Sequence, residues 1–471
     1  MSGVENVTAR GNAMRQSRYN ITVDYEGGEH LVFNTANGAF ATLSDAGFAA
    51  YEAADAGAFP ALAEAGFLTK LSAEEELAAQ QRLFDNQRYR HDTLTICVVP
   101  TYVCNYRCPY CYEEGHNKIS GFMDERVINA LAAFIEGRYE ANPFSRLEVQ
   151  WYGGEPSLCL DVVKAATDKM RGFCETVGAA YDAMMLSNCY AVDDEAAQLI
   201  ASCGISFMYM TVDGPAEHHD KRRIHASGKG TFDRTIAAAR ALHAYGVKTA
   251  GTMNVDKTIM PLFPEFSEQL LAEEGIELTP GQLNDYGHCY GTGTFCKPEF
   301  DLFNHEEFAR ARYELCDKGK RSAGELREML SPQTHFCSGQ KQDYYVVDLL
   351  GDVYKCDGWV GDKNFVKFNL FDDPSTWQLD IVSHDATRDD TCSQCALLPI
   401  CHGSCVWERT LAIPETGKMP CHPLKTTIAD YLADYRACFG DAASSDEAGS
   451  GAGADVRVLA QPMSSDTIAA K

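Results

Sequence analysis

Three cysteines, Cys104, Cys108 and Cys111, stand at a CxxxCxxC spacing in "LTICVVPTYVCNYRCPYCY", directly after an apolar run. Three thiolates are one ligand short of the four that close a structural zinc site or an iron-sulfur cluster. A metal centre bound by these thiolates alone keeps one position open for another ligand. The spacing therefore indicates a reactive metal centre rather than a metal site that only stabilises the fold.

The chain has 19 cysteines, and a second patterned group lies far downstream. Cys337 and Cys356 precede the block "CSQCALLPICHGSC", which is followed by Cys421. The N-terminal sequence "MSGVENVTARGNAMRQSRYN" lacks the apolar core of an export signal, and thiols in the reducing cytosol seldom form disulfides. The patterned cysteines are therefore expected to bind metal, whereas the scattered ones are typical of small buried side chains.

The composition of the chain argues against several classes of function. Of 471 residues, 45% are hydrophobic and 23% are charged, which is typical of a globular chain of about two to four domains. The formal net charge of -26 argues against a nucleic-acid partner, whose phosphates need Lys and Arg. No apolar run approaches the roughly 20 residues of a membrane span. The sequence thus predicts a cytoplasmic protein that binds neither nucleic acid nor membrane.

Strands alternating with helices are predicted to bring the motifs together. The sequence of residues 18–72 predicts strands followed by short helices, and the sequence of residues 73–92 predicts a helical connector. From residue 93, six strand candidates alternate with amphipathic helices, which predicts a parallel sheet, open or curled into a partial barrel. The six candidates are "LTICVV", "LEVQWY", "AMMLSN", "SFMYMTV", "VKTAGTM" and "IELTPGQL". Reactive groups in such a sheet gather at the carboxyl ends of the strands.

Polar motifs follow four of these strands in turn. They are the CxxxCxxC segment, "GGEP" (153–156), "SN" (187–188) and "TVDGPAEHHDKRR" (211–223). A small molecule with an amine and a carboxylate could ligate the open metal position. Glu155 beside two glycines suits the ammonium of such a ligand, and an arginine suits its carboxylate.

This set resembles the radical S-adenosylmethionine (SAM) enzymes. In that family a CxxxCxΦC motif binds a 4Fe-4S cluster, whose free iron binds SAM and cleaves it reductively to a 5′-deoxyadenosyl radical. The resemblance implies a partial (β/α)6 TIM-type barrel over residues 93–330. It also implies SAM contacts: Tyr110 near the adenine, Gly153, Gly154 and Glu155 at the amine, Ser187 at the ribose, and Thr211 with Arg223 at the carboxylate. The third motif reads "SNC" where many relatives have a glycine.

The downstream cysteines are similar to the SPASM extension of radical SAM peptide and protein maturases, here residues 331–438. By that pattern Cys337, Cys356 and Cys405 would ligate a first auxiliary 4Fe-4S cluster. Cys392, Cys395, Cys401 and Cys421 would ligate a second. Together with the SAM-binding cluster, the chain would then hold three 4Fe-4S clusters. The alternatives are a zinc ribbon in a zinc-binding scaffold protein, which leaves the SAM motifs without a role, and an RNA-modifying radical SAM enzyme, which would be expected to carry basic patches.

The resemblance also implies partners. Residues 18–72 are similar to the winged-helix element that pairs an edge strand with the leader of a precursor peptide, a mode that relies on backbone hydrogen bonds. An oligomerisation or packing domain is the alternative for this unit. Reductive SAM cleavage also implies an electron donor such as flavodoxin or ferredoxin. Residues 439–471, rich in Gly, Ala, Ser and Asp, are predicted to be a disordered tail.

Three reactions compete within this class. Asp357, directly after Cys356, matches a candidate base of the sulfatase-maturating branch, which would indicate oxidation of Ser or Cys to formylglycine; a surface Asp in a turn is the alternative. Ser331 stands where that branch has a fourth cysteine for the first auxiliary cluster. One iron there could bind a substrate thiolate, unless Cys289, Cys296 or Cys316 fills the position. We therefore favour thioether crosslinks from cysteine to a carbon of another residue, ahead of formylglycine formation and carbon-carbon crosslinking.

Overall fold

A computed structural model describes residues 14–111, 113, 119–283, 300–333, 337–379, 384–410, 420–440, 455–464 and 467–468. Cys289 and Cys296 lie outside these residues. The described part is a mixed α/β structure built on a central nine-stranded sheet, with a separate four-stranded sheet formed largely by the N-terminal unit.

The central sheet confirms the predicted parallel core. The six predicted strands are β6 (Thr93–Val99), β7 (Arg146–Trp151), β8 (Ala180–Ser187), β9 (Ile205–Thr211), β10 (Lys248–Val255) and β11 (Glu277–Gln282). They pair in parallel in chain order, so that their carboxyl ends meet at one edge. β6 is buried from Leu94 to Val99, and β7 and β8 alternate buried with half-buried residues. The continuous burial of β6 is typical of a strand covered on both faces.

Helices follow the strands and cover the sheet. They are α4 (Glu125–Ala141), α5 (Leu160–Val177), α6 (Asp194–Ser202), α7 (Ala216–Arg222), α8 (Phe232–Ala244) and α9 (Phe263–Glu274). Asp124 and Asp193 cap α4 and α6 by accepting backbone N–H bonds in the first turn. Among the described helices none is both long and apolar enough to cross a bilayer.

The N-terminal unit has the predicted order of strands followed by short helices. An antiparallel meander, β2 (Asn20–Tyr25), β3 (Glu29–Asn34) and β4 (Phe40–Leu43), leads into α1 (Asp45–Glu52) and α2 (Ala61–Glu64). A two-stranded ladder joins β1 (Arg15–Gln16) to β5 (Leu68–Thr69). The connector is α3 (Ala73–Arg88), which begins with a capping box between Ser72 and Glu75. Its role in peptide recognition stays a prediction.

The described residues from 300 to 379 extend the central sheet. β12 (Tyr344–Asp348) pairs in parallel with β6, and β13 (Asp352–Tyr354) and β14 (Phe368–Asn369) continue the central sheet beyond it. The helices are α10 (His305–Arg312), which runs into a π-helical turn at Tyr313–Asp317, α11 (Ala323–Met329), α12 (Leu398–Cys401) and α13 (Leu424–Ala437). The pairings of β12 with β6 and β13 place the loop after β13, which contains Cys356, next to the start of β12.

The tail differs from the prediction of disorder over residues 439–471. β15 (Val456–Ala460) pairs antiparallel with β4 and forms the outer strand of the N-terminal sheet, in the order β15-β4-β3-β2. The segment "VRVLA" has the β-branched and apolar residues of a strand. Its partner lies more than 400 residues earlier, so no local pattern announces the pairing, and the surrounding Gly, Ala and Ser dominate the composition.

Candidate active site

A cavity of about 510 Å³ lies at the carboxyl ends of the parallel strands. Its walls include residues of the segment that follows β6, residues at or just after the ends of β7 to β11, and residues of the loop after β13. Thirteen residues singled out in the sequence line it: Cys104, Cys108, Tyr110, Cys111, Gly153, Gly154, Glu155, Ser187, Thr211, Arg223, Cys356, Asp357 and Cys405. The fold therefore brings the predicted SAM motifs and part of the predicted first auxiliary site to one space.

The three cysteines after β6 form a thiol cluster in which Cys108 is buried and Cys104 and Cys111 are half-buried. The Tyr106 N–H donates to Cys104 Sγ at 3.4 Å, and Asn188 Nδ2 donates to the same sulfur at 3.8 Å. Burial raises the pKa of Cys104 to about 12, and it also raises the pKa of Cys111, to which the neighbouring Glu113 and Cys108 add. A cation is needed to stabilise several thiolates crowded in this way, so the donor set fits an iron-sulfur cluster.

Two glycines allow the loop after β7 to pack on this thiol segment. A Cβ on Gly154 would lie 2.5 Å from the carbonyl oxygen of Tyr102, and one on Gly153 would lie 2.6 Å from that of Thr101. Gly153 also adopts a φ of +113°, which side chains other than glycine rarely take. The close approach is held by the Glu155 N–H, which donates to the Val103 carbonyl at 2.9 Å.

Glu155 is buried at the centre of a hydrogen-bonded network. Its carboxylate accepts bonds from the Ser157 N–H at 2.9 Å, from Ser187 Oγ at 2.6 Å and from the Asn188 N–H at 2.7 Å. Ser187, predicted at the SAM ribose, thus contacts the residue predicted at the SAM amine. Three donors stabilise a negative charge at a cavity wall, which suits an ammonium ligand.

Arg223 lies in the motif that follows β9, and one N–H group of its side chain makes no hydrogen bond among the described residues. Arg223 Nη1 donates to the Tyr110 hydroxyl at 2.9 Å, and its buried Nε has no hydrogen-bond partner among the described residues. The Tyr110 hydroxyl also bonds to Asp213, and the Asn254 N–H donates to that carboxylate at 2.8 Å. A buried guanidinium with an unused N–H is suited to the carboxylate of a bound small molecule. The residues present therefore fit SAM as well as the cluster.

Acidic and aromatic side chains form the wall on the side of Cys356. Asp357 lines the cavity, and burial raises its pKa. Glu113 and Tyr152 are close by, and burial followed by repulsion from Asp357 and Glu155 raises the pKa of Glu113 to about 7. Asp357 therefore lies on the wall of the cavity, in the short 3-10 turn that follows Cys356.

The cysteines predicted at the first auxiliary cluster lie near one another. Burial raises the pKa of Cys356, and repulsion from Asp357, Cys405 and Cys337 adds to this rise. Ser331 is buried, and its hydroxyl donates to the Arg327 carbonyl at the end of α11. Cys316 lies on the π-helical turn, where the charges that affect its pKa belong to Asp317, Arg312, Lys320 and Arg321.

The four cysteines predicted at the second auxiliary cluster surround a separate cavity of about 50 Å³. Cys392, Cys395, Cys401 and Cys421 line it together with Arg409 and Lys425. Arg409 Nη1 donates to Cys392 Sγ at 3.4 Å, and Lys425 Nζ donates to Cys421 Sγ at 3.5 Å. Four thiols and two cations are the chemistry of a closed, anionic cluster site.

His384, Asp389 and Cys392 also offer ligand atoms within 4.8 Å of one another. Arg409 donates to Asp389 at 2.8 Å as well as to the Cys392 sulfur. A guanidinium between these donors already neutralises their charge, which disfavours a further cation at this point.

Several residues of these sites were missed in the sequence. Asn254, near the end of β10, was not singled out, and its position at a strand end was the available signal. Trp407 and Arg409 come from the segment after Cys405, and only their proximity to the cysteine block could have pointed to them. Asp220, by contrast, accepts backbone bonds at the start of α8 and is structural.

Comparisons with known proteins agree with this geometry. Residues 98–271 match the family model of the Radical SAM superfamily. The chain is 23% identical over 332 residues to the cysteine-type anaerobic sulfatase-maturating enzyme of Clostridium novyi, covering 64% of this chain and 84% of the relative. It is 21% identical over 343 residues to the serine-type enzyme of Bacteroides thetaiotaomicron, covering 64% and 80%.

A solved structure shares the fold. Native anSMEcpe with bound AdoMet and Cp18Cys peptide superposes with a TM-score of 0.57 at 18% identity, covering 73% of this chain and 97% of that one. The family match places the CxxxCxxC segment, the "GGEP" loop and the segment from Thr211 to Arg223 within the matched residues. The chain therefore carries a radical SAM domain and is homologous to the anaerobic sulfatase-maturating enzymes.

Proposed function

We propose that this protein is a radical SAM maturase that modifies a peptide or protein substrate. The observation that carries the proposal is the shared cavity, in which the thiol cluster, the SAM motifs, Cys356, Cys405 and Asp357 all face one space. The relatives are named as enzymes that mature sulfatases, and the similar fold was solved with a bound peptide. When bound, SAM and the clusters supply a hydrogen-abstracting radical and an acceptor for the electron released.

The chain's own residues hold SAM in this proposal. Glu155 would bind the amine through the carboxylate that accepts three hydrogen bonds, and Arg223, which lines the same cavity, would bind the carboxylate of SAM. Asp213 fixes the Tyr110 hydroxyl, which orients Arg223 in turn. Thr211 and Ser187 lie on the wall between these two groups.

The product that we propose is a thioether from a substrate cysteine to a carbon of another residue. Three thiols of the described residues, Cys337, Cys356 and Cys405, lie together, and the Ser331 hydroxyl is bound to a backbone carbonyl instead. A substrate thiolate would complete this ligand set. Joining a thiol to a carbon removes two hydrogen atoms, so the reaction is a two-electron oxidation, and SAM with the auxiliary cluster accounts for both equivalents.

Formylglycine formation is the second candidate. Asp357 lies on the wall of the cavity beside Cys356, whose Sγ–H donates to Asp357 at 3.7 Å, and the relatives carry out sulfatase maturation by name. Asp357 would then accept a proton from the oxidised substrate carbon or its heteroatom.

Three 4Fe-4S clusters and a reducing partner such as flavodoxin or ferredoxin complete the proposal. We propose a cytoplasmic location, where thiols are kept reduced, and a leader-bearing precursor peptide as substrate.

The mass of the product distinguishes the two reactions. We would co-express the enzyme with a cysteine-containing small protein encoded beside it and measure the purified peptide by tandem mass spectrometry. A loss of two hydrogen atoms per linkage, with the cysteine resistant to alkylation, is expected for thioether formation. Conversion of one Cys or Ser to an aldehyde would favour formylglycine formation, and unmodified peptide from active enzyme would count against both.

A further inference from the structure

The outer edge of β4 is occupied by the chain's own C-terminal segment. Val456, Arg457, Val458 and Ala460 pair with Leu43, Thr42, Ala41 and Phe40 respectively, with a register shift between Val458 and Ala460. The Ser44 N–H donates to the Asp455 carbonyl at 3.0 Å, and Ser44 Oγ donates to the Asp455 carboxylate at 2.6 Å. At the other end, the Met463 N–H donates to the Asn37 carbonyl at 2.7 Å. Backbone hydrogen bonds thus run along the whole segment from 455 to 463.

Side chains of the segment enter apolar clusters on both faces of the sheet. Val456 is buried with Leu43 and Tyr51, on the side of α1 and α2. Ala460 is buried with Phe40 and Tyr435, on the side of α13. The edge therefore accepts an extended peptide with a β-branched residue at one end and a small residue four positions later.

Gly47 leaves the space in which the C-terminal segment packs beside β4. Gly47 lies inside α1, where a Cβ would come within 2.1 Å of the Asp455 carbonyl oxygen. Its φ is not in the left-handed region, so the backbone of α1 does not require a glycine. Glycine lowers helix stability relative to alanine, so the close approach of the segment accounts for its presence.

The residues that link the segment to the rest of the chain determine how strongly it competes with a free peptide for the β4 edge. Residues 441–454, "DAASSDEAGSGAGA", carry no side chain larger than that of Glu and no apolar one beyond Ala. A short tether of such composition gives an effective concentration on the order of millimolar. A free peptide that binds the bare edge as tightly as the segment must therefore be present at about millimolar concentration to displace it, and a peptide at micromolar concentration must bind about a thousandfold more tightly.

We propose that residues 455–463 are an intramolecular ligand of a peptide-docking edge on β4, which the leader of a substrate peptide must displace. The edge selects an extended leader segment with the side-chain pattern of "DVRVLA". The identity of the competitor as a leader rests on the proposed function, whereas the occupied edge does not. Substrate selection would then depend on the leader affinity exceeding that of the segment.

A labelled synthetic peptide of residues 455–463 tests the proposal by fluorescence anisotropy. We expect the chain ended at Gly440 to bind it at least tenfold more tightly than the full-length protein. The same peptide with Val456→Asp and Ala460→Asp is the matched control and should bind neither. Equal affinity for the truncated and full-length proteins, or no binding to the truncated one, would overturn the proposal.

A second variant keeps the test independent of truncation. Gly47→Ala in the full-length protein should push the segment off, and hydrogen exchange at residues 456–460 and 40–43 should rise at least tenfold. Gly172→Ala in α5, where a Cβ meets nothing within 4 Å, should leave this exchange unchanged. Unchanged exchange in Gly47→Ala would contradict the proposed close contact. Neither readout needs SAM cleavage, so failure of the proposed function would leave both outcomes interpretable.

Discussion

Glu155 is the residue whose charge carries most of the proposed SAM binding. Glu155→Gln keeps the shape of the side chain and an oxygen acceptor but removes the charge that would bind the SAM amine. A charge-assisted hydrogen bond contributes about 1.5–3 kcal/mol, so SAM affinity should fall at least about tenfold. Anaerobic equilibrium dialysis with labelled SAM measures this. Iron content should match the wild type, and unchanged SAM affinity would refute the assignment.

Arg409 is proposed to tune the second auxiliary cluster. Its guanidinium is buried and donates to Cys392 Sγ, and positive charge at a ligating sulfur stabilises the reduced cluster. Arg409→Met should lower the reduction potential by roughly 40 mV, the equivalent of about 1 kcal/mol for a one-electron couple. An EPR-monitored redox titration measures the shift.

Lys425 provides the comparison for that titration. Its ammonium donates to Cys421 Sγ from a solvent-exposed position, so Lys425→Met should shift the potential less than Arg409→Met. Equal potentials in the wild type and Arg409→Met would show that the guanidinium only supports the local structure.

At the scale of elements, the loop after β7 must lie directly on the thiol segment after β6. Gly154→Ala would place a Cβ within 2.6 Å of two carbonyl oxygens, so the loops should separate. We expect a loss of about 1–3 kcal/mol in stability and less iron at the first cluster. Thermal denaturation and iron analysis check both effects. Gly172→Ala is the matched control and should be neutral or slightly stabilising, and a Gly154→Ala protein as stable and iron-rich as that control would disprove the close packing.

The elements also show what the sequence could predict. The segments that form β6 to β11 are apolar and alternate with amphipathic helices, so the sequence could predict a parallel sheet. Because reactive groups gather at the carboxyl ends of such strands, it could also predict that Cys104, Glu155 and Arg223 lie at one edge. β12 and β15 were not predicted, because each pairs with a strand hundreds of residues away. The contacts of Asp213 with Tyr110 and of Arg409 with Cys392 likewise depend on tertiary packing that spacing does not encode.

At the scale of the whole molecule, the N-terminal unit is built into the rest of the protein. Phe40 stacks on Tyr435 of α13 at 4.9 Å, and Arg436 bonds to Glu29 at 2.8 Å. Removal of residues 18–72 would expose this apolar surface, so deletion is a poor test of peptide recognition. Substitutions at Ala41 or Leu43, which pack in the cluster on the side of α1 and α2, leave the contact of Phe40 with Tyr435 in place and address recognition directly.

The whole protein is expected to bind about twelve irons after anaerobic reconstitution, because three groups of cysteines would each hold a four-iron cluster. Combined iron, sulfide and zinc analysis measures this. Cys395→Ala with Cys421→Ala should remove about four irons and leave the cavity at the strand ends loaded. A wild-type content of about four irons with zinc in the remaining sites would contradict the three-cluster assignment.

The central claim is that Cys104, Cys108 and Cys111 hold the cluster at which SAM is cleaved. Release of 5′-deoxyadenosine from SAM under dithionite, measured by chromatography, tests it most directly. The wild type and a control with Cys174, Cys203 and Cys316 replaced by Ala, all outside the cavity, should release it. The variant with Cys104, Cys108 and Cys111 replaced by Ala should release none. Undiminished release from that variant would contradict the account.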